Sequence, residues 1–152
     1  MHLLRITDLQ IAFETELGTS VAVQDSSFTV DRGEVVAIVG ESGSGKSVTS
    51  LSILKLLPSN TVRYPKGSIL FSSDGEDAIN ILDLKEAELR NIRGSQISMI
   101  FQEPMTSLNP VFTCGEQVIE AILQHTSVSK AIARDQTLDL FRKVKLPDPE
   151  SI

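Results

Sequence analysis

The chain has 152 residues, 41% of them hydrophobic, which is enough for a buried core and argues against wholesale disorder. Fourteen Lys and Arg against 20 Asp and Glu leave a net charge of -6, which excludes a sequence-blind nucleic-acid binder relying on a basic stripe. The single cysteine, Cys114, excludes an internal disulfide framework and a multi-cysteine metal site, and a reducing, cytosolic compartment is expected.

The N-terminal residues His2, Leu3, Leu4 and Arg5 turn polar at once, without the apolar run of a signal peptide. No stretch approaches the roughly 18 uninterrupted apolar residues of a membrane span, because Lys55 and Pro58 interrupt the richest segment. Residues 3–13 and 21–30 alternate between apolar and polar, predicting a strand pair with one wet face and a turn at residues 16–20. The β-branched run of residues 35–39 predicts a strand buried on both faces of a sheet. Gly40 ends it. From Ser44 a helix is predicted, with Val48, Leu51, Leu54 and Leu57 at three-residue intervals until Pro58 closes it.

Residues 59–67, with Pro65 among them, predict a loop, and residues 69–71 and 79–82 flank Asp74-Gly75 as a hairpin. Asp83 followed by Glu86 has capping-box spacing for a helix over residues 84–92 that stops at Gly94, with Glu86, Glu88, Arg90 and Arg93 as its solvated face. Residues 97–101 predict another short strand, and residues 116–125 and 129–145 two helices. The order therefore runs from β-rich through mixed to all-helical, with no internal repeat. His2 and His125 lack partners at metal or nucleophile spacing, and Cys114 reads as a small apolar residue.

The chemistry concentrates in Gly40-Glu41-Ser42-Gly43-Ser44-Gly45-Lys46-Ser47, which fits the phosphate-loop pattern G-x-x-x-x-G-K-[ST]. Glycines let the backbone wrap phosphate oxygens and aim successive N–H groups at them, and the helix that follows adds its positive end. Lys46 is suited to the β- and γ-phosphates and the Ser47 hydroxyl to Mg²⁺. A flexible glycine-serine turn would need neither an apolar strand before it nor an amphipathic helix after it. A dinucleotide fingerprint is disfavoured, because Lys46, Ser47 and Val48 follow with no third glycine.

The flanks carry a resemblance. Residues 22–34 resemble the strand and turn that precede this loop in ABC-type ATPases. Met99-Ile100-Phe101-Gln102-Glu103-Pro104-Met105-Thr106-Ser107-Leu108-Asn109-Pro110 resembles their Q-loop, in the form typical of dipeptide and oligopeptide import ATP-binding subunits. The resemblance implies an α/β P-loop NTPase of the ABC type: an antiparallel β subdomain, an incomplete parallel-sheet core and the start of a helical subdomain. Residues 1–103 would belong to the ATP-binding core and residues 104–152 to the helical subdomain. ATP and Mg²⁺ are the implied cofactors. Gly40, Glu41, Ser42, Gly43, Ser44, Gly45, Lys46 and Ser47 would hold the phosphates, with Val48 contacting the α-phosphate through its backbone N–H. Gln102 would touch Mg²⁺ or the attacking water, since a Gln amide can both accept and donate. Phe13 matches the aromatic position that stacks on adenine, and a core phenylalanine on a strand is the competing reading.

Three family elements have no counterpart after Gln102: the apolar strand ending in Asp-Glu, the Leu-Ser-Gly-Gly-Gln-like signature and the switch histidine. Residues 79–83 imitate the first but are interrupted by Asn80. The chain is therefore expected to be the N-terminal part of a longer subunit. By itself it is expected to bind nucleotide weakly, hydrolyse almost none and be poorly soluble, with an open apolar sheet edge. The complete protein would pair head to tail with a second ATP-binding subunit on the cytoplasmic face of the membrane. It would act on two membrane permease subunits, and through them with an extracytoplasmic solute-binding protein, to import peptides or a related solute. No nucleic acid is implied. The rival readings are a non-hydrolysing nucleotide-binding module and a small P-loop kinase, for which only Arg134 and Arg142 after Gln102 could serve as lid arginines.

Overall fold

A computed structural model describes residues 2–102 and 108–151 of the chain. They fall into two compact units, residues 1–97 and residues 98–152.

The first unit is built on the expected strand pair. Strand β1 (Leu4–Thr15) and strand β2 (Gly18–Val30) form an antiparallel hairpin turning through Glu16 and Leu17. Strand β3 (Val62–Phe71) pairs with the other side of β1, and the short β4 (Ile79–Asn80) closes the order β2-β1-β3-β4. Alternation sends Ile6, Leu9, Ile11, Val23, Ile69 and Phe71 inward, where Ile81, Leu89 and Ile92 meet them in the core. Ile6 and Leu9 are three residues apart yet share a face, because β1 carries an extra residue between them.

That irregularity runs across the sheet. Asp8 in β1 and Asp25 in β2 have left-handed backbones at φ 48° and 50°, and Gly67 in β3 has φ 94°. A Cβ on Gly67 would lie 2.5 Å from the Leu9 Cα, so the two strands approach there more closely than any side chain permits. The ammonium of Lys66 spans the crease, 3.1 Å from Asp25 Oδ1 and 3.7 Å from Asp8 Oδ2, and these carboxylates hold its pKa above the ordinary lysine value. The Asp8 N–H donates to Ser27 Oγ at 2.8 Å.

Four expectations are corrected here. Residues 62–67 lie in β3 rather than a loop, because β1 offers a ladder to them, with Phe13 opposite Val62 and Ala12 opposite Arg63. Pro65 is tolerated since β4 pairs only with Leu70 and Phe71, so no ladder bond is asked of its missing N–H on the outer edge. Residues 35–39 form no strand, and Val35 and Val39 are 95% and 87% exposed. A strand buried on both faces needs ladders on both sides, and among the described residues none pairs with this run. Residues 97–101 likewise contribute only an isolated bridge between Arg93 and Ile97, leaving Ile100 exposed.

The fourth correction concerns the helices. Helix α1 (Lys46–Ile53) ends well before Pro58, in a turn with Lys55 at φ 48°. A 3₁₀ turn (Ile81–Asp83) and an extended Leu84 delay helix α2 to Glu86–Ile92. Its start is therefore closed not by Asp83 with Glu86 but by Glu88, whose Oε2 accepts from the Lys85 N–H at 2.8 Å. Asp83 instead accepts from Asn80 Nδ2 at 2.9 Å. Arg93, expected on a solvated face, is mostly covered and bonded to the end of α1.

In the second unit, helices α3 (Cys114–His125) and α4 (Lys130–Lys143) follow the expected spans and bury Gly115, Ala133, Thr137 and Phe141. Thr113 and Glu116 close α3 reciprocally: the Glu116 N–H donates to Thr113 Oγ1 at 3.1 Å and the Thr113 N–H to Glu116 Oε2 at 3.0 Å. Ser129 caps α4 by accepting from the Ile132 N–H. No helix among the described residues is long and apolar enough to cross a membrane.

Candidate functional site

Residues 40–47 join the exposed run of residues 35–39 to α1 and fold into a tight loop against β2. Gly43 and Gly45 adopt φ 82° and 87°, where a side chain is strained. A Cβ on Gly45 would meet the Ala22 carbonyl oxygen at 2.8 Å, and one on Gly40 would meet Ser44 Oγ at 2.6 Å. The loop is thus a backbone cradle with no room for a side chain at Gly45, while at Gly40 the Ser44 hydroxyl would have to turn aside. The Ser44 N–H closes a turn onto the Glu41 carbonyl at 3.2 Å.

Lys46 curls back into this cradle. Its Nζ donates to the carbonyls of Gly40 at 2.9 Å and Glu41 at 2.6 Å, and to Ser44 Oγ at 3.3 Å. A flexible cation held by neutral oxygens at the mouth of a helix can exchange them for anionic ones, which form stronger charge-assisted bonds. Helix α1 itself starts at Gly45 with no side-chain cap and no acidic residue in its first turn, so its initial N–H groups and positive dipole end are left to other acceptors.

The hydroxyls of α1 divide into two kinds. Thr49, Ser50 and Ser52 donate to the carbonyls of Gly45, Lys46 and Val48 at 3.0, 3.1 and 2.8 Å. Ser47 is exposed and makes no side-chain hydrogen bond among the described residues, so its oxygen is available to a hard cation. Thr49, which the motif does not include, closes the first turn twice, since its backbone N–H also donates to the Gly45 carbonyl at 2.8 Å. Its signal in the sequence was only a hydroxyl one turn beyond the last motif glycine. One turn further along α1, the Tyr64 hydroxyl donates to the fully buried Ser52 at 3.3 Å, and burial pushes the Tyr64 pKa up despite that bond.

A cavity extends from Gly40, Ser44 and Lys46 along Val23, Gln24 and Phe28 of β2. Phe13 is not in its lining; it sits in β1 opposite Ser20 and packs against the core. Val48 is half-buried against the same core. Gln102 is exposed and belongs to the second unit, and residues 103–107 of the Q-loop segment lie outside the described residues.

Residues 23–151 match the family model described as ABC transporter. This chain belongs to the ABC transporter family. It is 52% identical over 97% of its length to the peptidoglycan transport ATP-binding protein YejF of Agrobacterium fabrum, covering 26% of that protein. It is 45% identical over 98% of its length to the oligopeptide transport ATP-binding protein OppD of Bacillus subtilis, covering 40% of it. With the dipeptide transport ATP-binding protein DppD of Bacillus subtilis it shares 47% identity over 96% of its length and 42% of the relative. The chain thus spans about a quarter to two fifths of the length of these curated relatives. Among solved structures, the dimeric bacterial ABC transporter cassette MJ0796 superposes with a TM-score of 0.76 at 24% identity, over 95% of this chain and 58% of that one. The fold is that of an ATP-binding cassette, as the sequence implied, and the family assignment sets aside the small kinase.

Proposed function

We propose that this chain is the nucleotide-binding part of an ATP-binding subunit that, when complete, hydrolyses ATP to energise import of peptides or a related solute. The observation that carries the reading is the cradle of residues 40–47, with its left-handed glycines, its inward lysine and an uncapped helix behind it. Residues 40–48 surround the phosphates, and the Lys46 ammonium trades the Gly40 and Glu41 carbonyls for β- and γ-phosphate oxygens. Ser47 and Gln102 are the residues that would hold Mg²⁺, whose chemistry is to neutralise the phosphate charge. The exposed Ser47 hydroxyl, which makes no side-chain hydrogen bond among the described residues, supports its part in this. Phe13, half-buried in β1 and outside the cavity lining, would stack on the adenine through its open face. Residues 1–103 act as the core and residues 104–152 as the beginning of the helical subdomain.

The names of the relatives, all peptide or peptidoglycan transport proteins, support the solute class. In this reading the subunit pairs with a second ATP-binding subunit on the cytoplasmic face of the membrane. Two permeases, fed by an extracytoplasmic solute-binding protein, respond to that pair. Calorimetric titration of the purified chain tests the site. MgATP is expected to bind, Lys46→Ala to weaken it at least about tenfold, and Ser47→Ala to erase the advantage of MgATP over ATP in EDTA. MgATP affinity indifferent to Lys46→Ala overturns the reading.

A further inference from the structure

Helix α1 is a poor helix. Of its eight residues, Lys46–Ile53, three are serines, one is threonine and two more are β-branched, and three of its hydroxyls bond back onto its own carbonyls. So short a helix of such residues has no intrinsic reason to hold its direction. Yet the phosphate loop is attached to its first residue, and the aim of the loop follows the aim of the helix.

What holds α1 lies at its far end. The helix closes with the Lys55 N–H donating to the Ser52 carbonyl at 3.0 Å and the Leu56 N–H to the Leu51 carbonyl at 2.9 Å, a pattern that places residue 55 in the left-handed region where glycine is the usual choice. This chain has lysine there, at φ 48°. Its side chain reaches out of the helix, and Nζ donates to the carbonyls of Leu82 at 2.9 Å and Leu84 at 3.0 Å, on the approach to α2. A second cation reaches the opposite way. From the end of α2, Arg93 donates through Nε to the Leu54 carbonyl at 2.9 Å and through Nη2 to the Lys55 carbonyl at 3.0 Å. Its Nη1 is anchored by Glu86 Oε1 at 2.7 Å.

The two cations therefore stitch the same two segments in both directions, and the Arg93 guanidinium sits at the negative end of the α1 dipole. The four bonds to carbonyls are charge-assisted and partly sheltered from water, which makes them stronger than an exposed ion pair such as that of Arg93 with Glu86. We propose that Lys55 and Arg93 form a positioning joint that sets the aim of α1, and with it the preorganisation of the phosphate loop, and that couples the loop to α2. The effect on nucleotide rests on the reading of the loop given above; the joint itself does not. Lys55 is strained at a glycine position because the joint requires its side chain.

The test separates a cap from a joint. A residue serving only as a helix cap is improved by Lys55→Gly, which relieves the left-handed backbone. A residue serving the joint is not. Hydrogen exchange of the nucleotide-free chain is read over residues 42–57 and 86–92 for wild type, Lys55→Gly and Arg93→Lys, with circular dichroism as the check on folding. Arg93→Lys keeps the charge but cannot bridge two carbonyls and Glu86 at once. Both variants are expected to exchange at least about tenfold faster over both segments, the double variant adding little to either alone. Where MgATP binds, both weaken it by about three- to tenfold. Unchanged or slower exchange in Lys55→Gly overturns the proposal, as does faster exchange at residues 46–53 with residues 86–92 unmoved. If Lys55→Gly loses its fold, Arg93→Lys is read by the same two criteria. A wild-type chain that binds no MgATP, with the exchange result as expected, removes the nucleotide reading and leaves the joint standing.

Discussion

Strand β1 and the run of residues 35–39 are both rich in apolar residues, and the second is the more apolar of the two. β1 is central, with β2 on one side and β3 on the other, and Ile6, Leu9 and Ile11 are buried. Residues 35–39 find no ladder among the described residues and are exposed. Apolar content favours burial without preference for direction, whereas a strand exists only where its N–H and C=O groups meet a partner backbone. The difference between the regions lies in their neighbours.

The sharpest way to break this comparison is to truncate both regions. Leu9→Ala is expected to cost about 2–5 kcal/mol in denaturant unfolding, as a cavity in the core, while Val39→Ser changes stability by no more than about 0.5 kcal/mol. Equal losses at the two positions would show that residues 35–39 are packed in solution. A smaller effect tests the close approach of β1 and β3. Gly67→Ala is expected to cost about 1–3 kcal/mol, from its left-handed backbone and the collision with Leu9. Gly18→Ala, also left-handed but with nothing within 4 Å, costs only about 1 kcal/mol by thermal unfolding.

The smallest effect concerns how the sheet holds α1. Burial raises the Tyr64 pKa above its ordinary 10.0, so the fold favours the neutral phenol. That contribution is complete below pH 10 and is lost as pH rises through the higher folded value. Tyr64 is the only tyrosine in the chain, so its titration can be followed alone. Tyr64→Phe is expected to cost about 1 kcal/mol at neutral pH and to flatten the alkaline loss of stability. An identical alkaline limb in both proteins would detach Tyr64 from that loss.

The hairpin of β1 and β2 was legible because one wet face imposes alternation, and helices α3 and α4 because their apolar spacing and caps are local. The phosphate loop was legible for a different reason, since its chemistry is carried by backbone geometry that glycine spacing encodes directly. Residues 62–67 were misread because Pro65 is a poor strand residue only when both edges are paired, which the sequence around it does not reveal. Residues 35–39 were misread because a buried strand depends on partners elsewhere. Arg93 read as part of a solvated helix face, and Lys55 only as a break in an apolar segment. Their roles depend on carbonyls 27 to 39 positions away in the chain, and no local pattern reports such a distance.

The crease at Asp8, Asp25 and Gly67 acts on the chain as a frame marker. Side chains in a strand change faces with each residue, so removing a residue from β1 away from the crease would turn everything beyond it inside out, whereas removing the extra residue at the crease would restore plain alternation and leave Ile6 and Leu9 two apart on one face. The crease is therefore the place in β1 where a deletion keeps the frame, at the expense of the left-handed Asp8 and its contacts with Ser27 and Lys66. A set of deletions stepping through residues 5–11 should therefore be tolerated best at Thr7 or Asp8 and worst at the buried Ile6 and Ile11, whereas the same exercise at the exposed turn of Glu16 and Leu17 changes only its length.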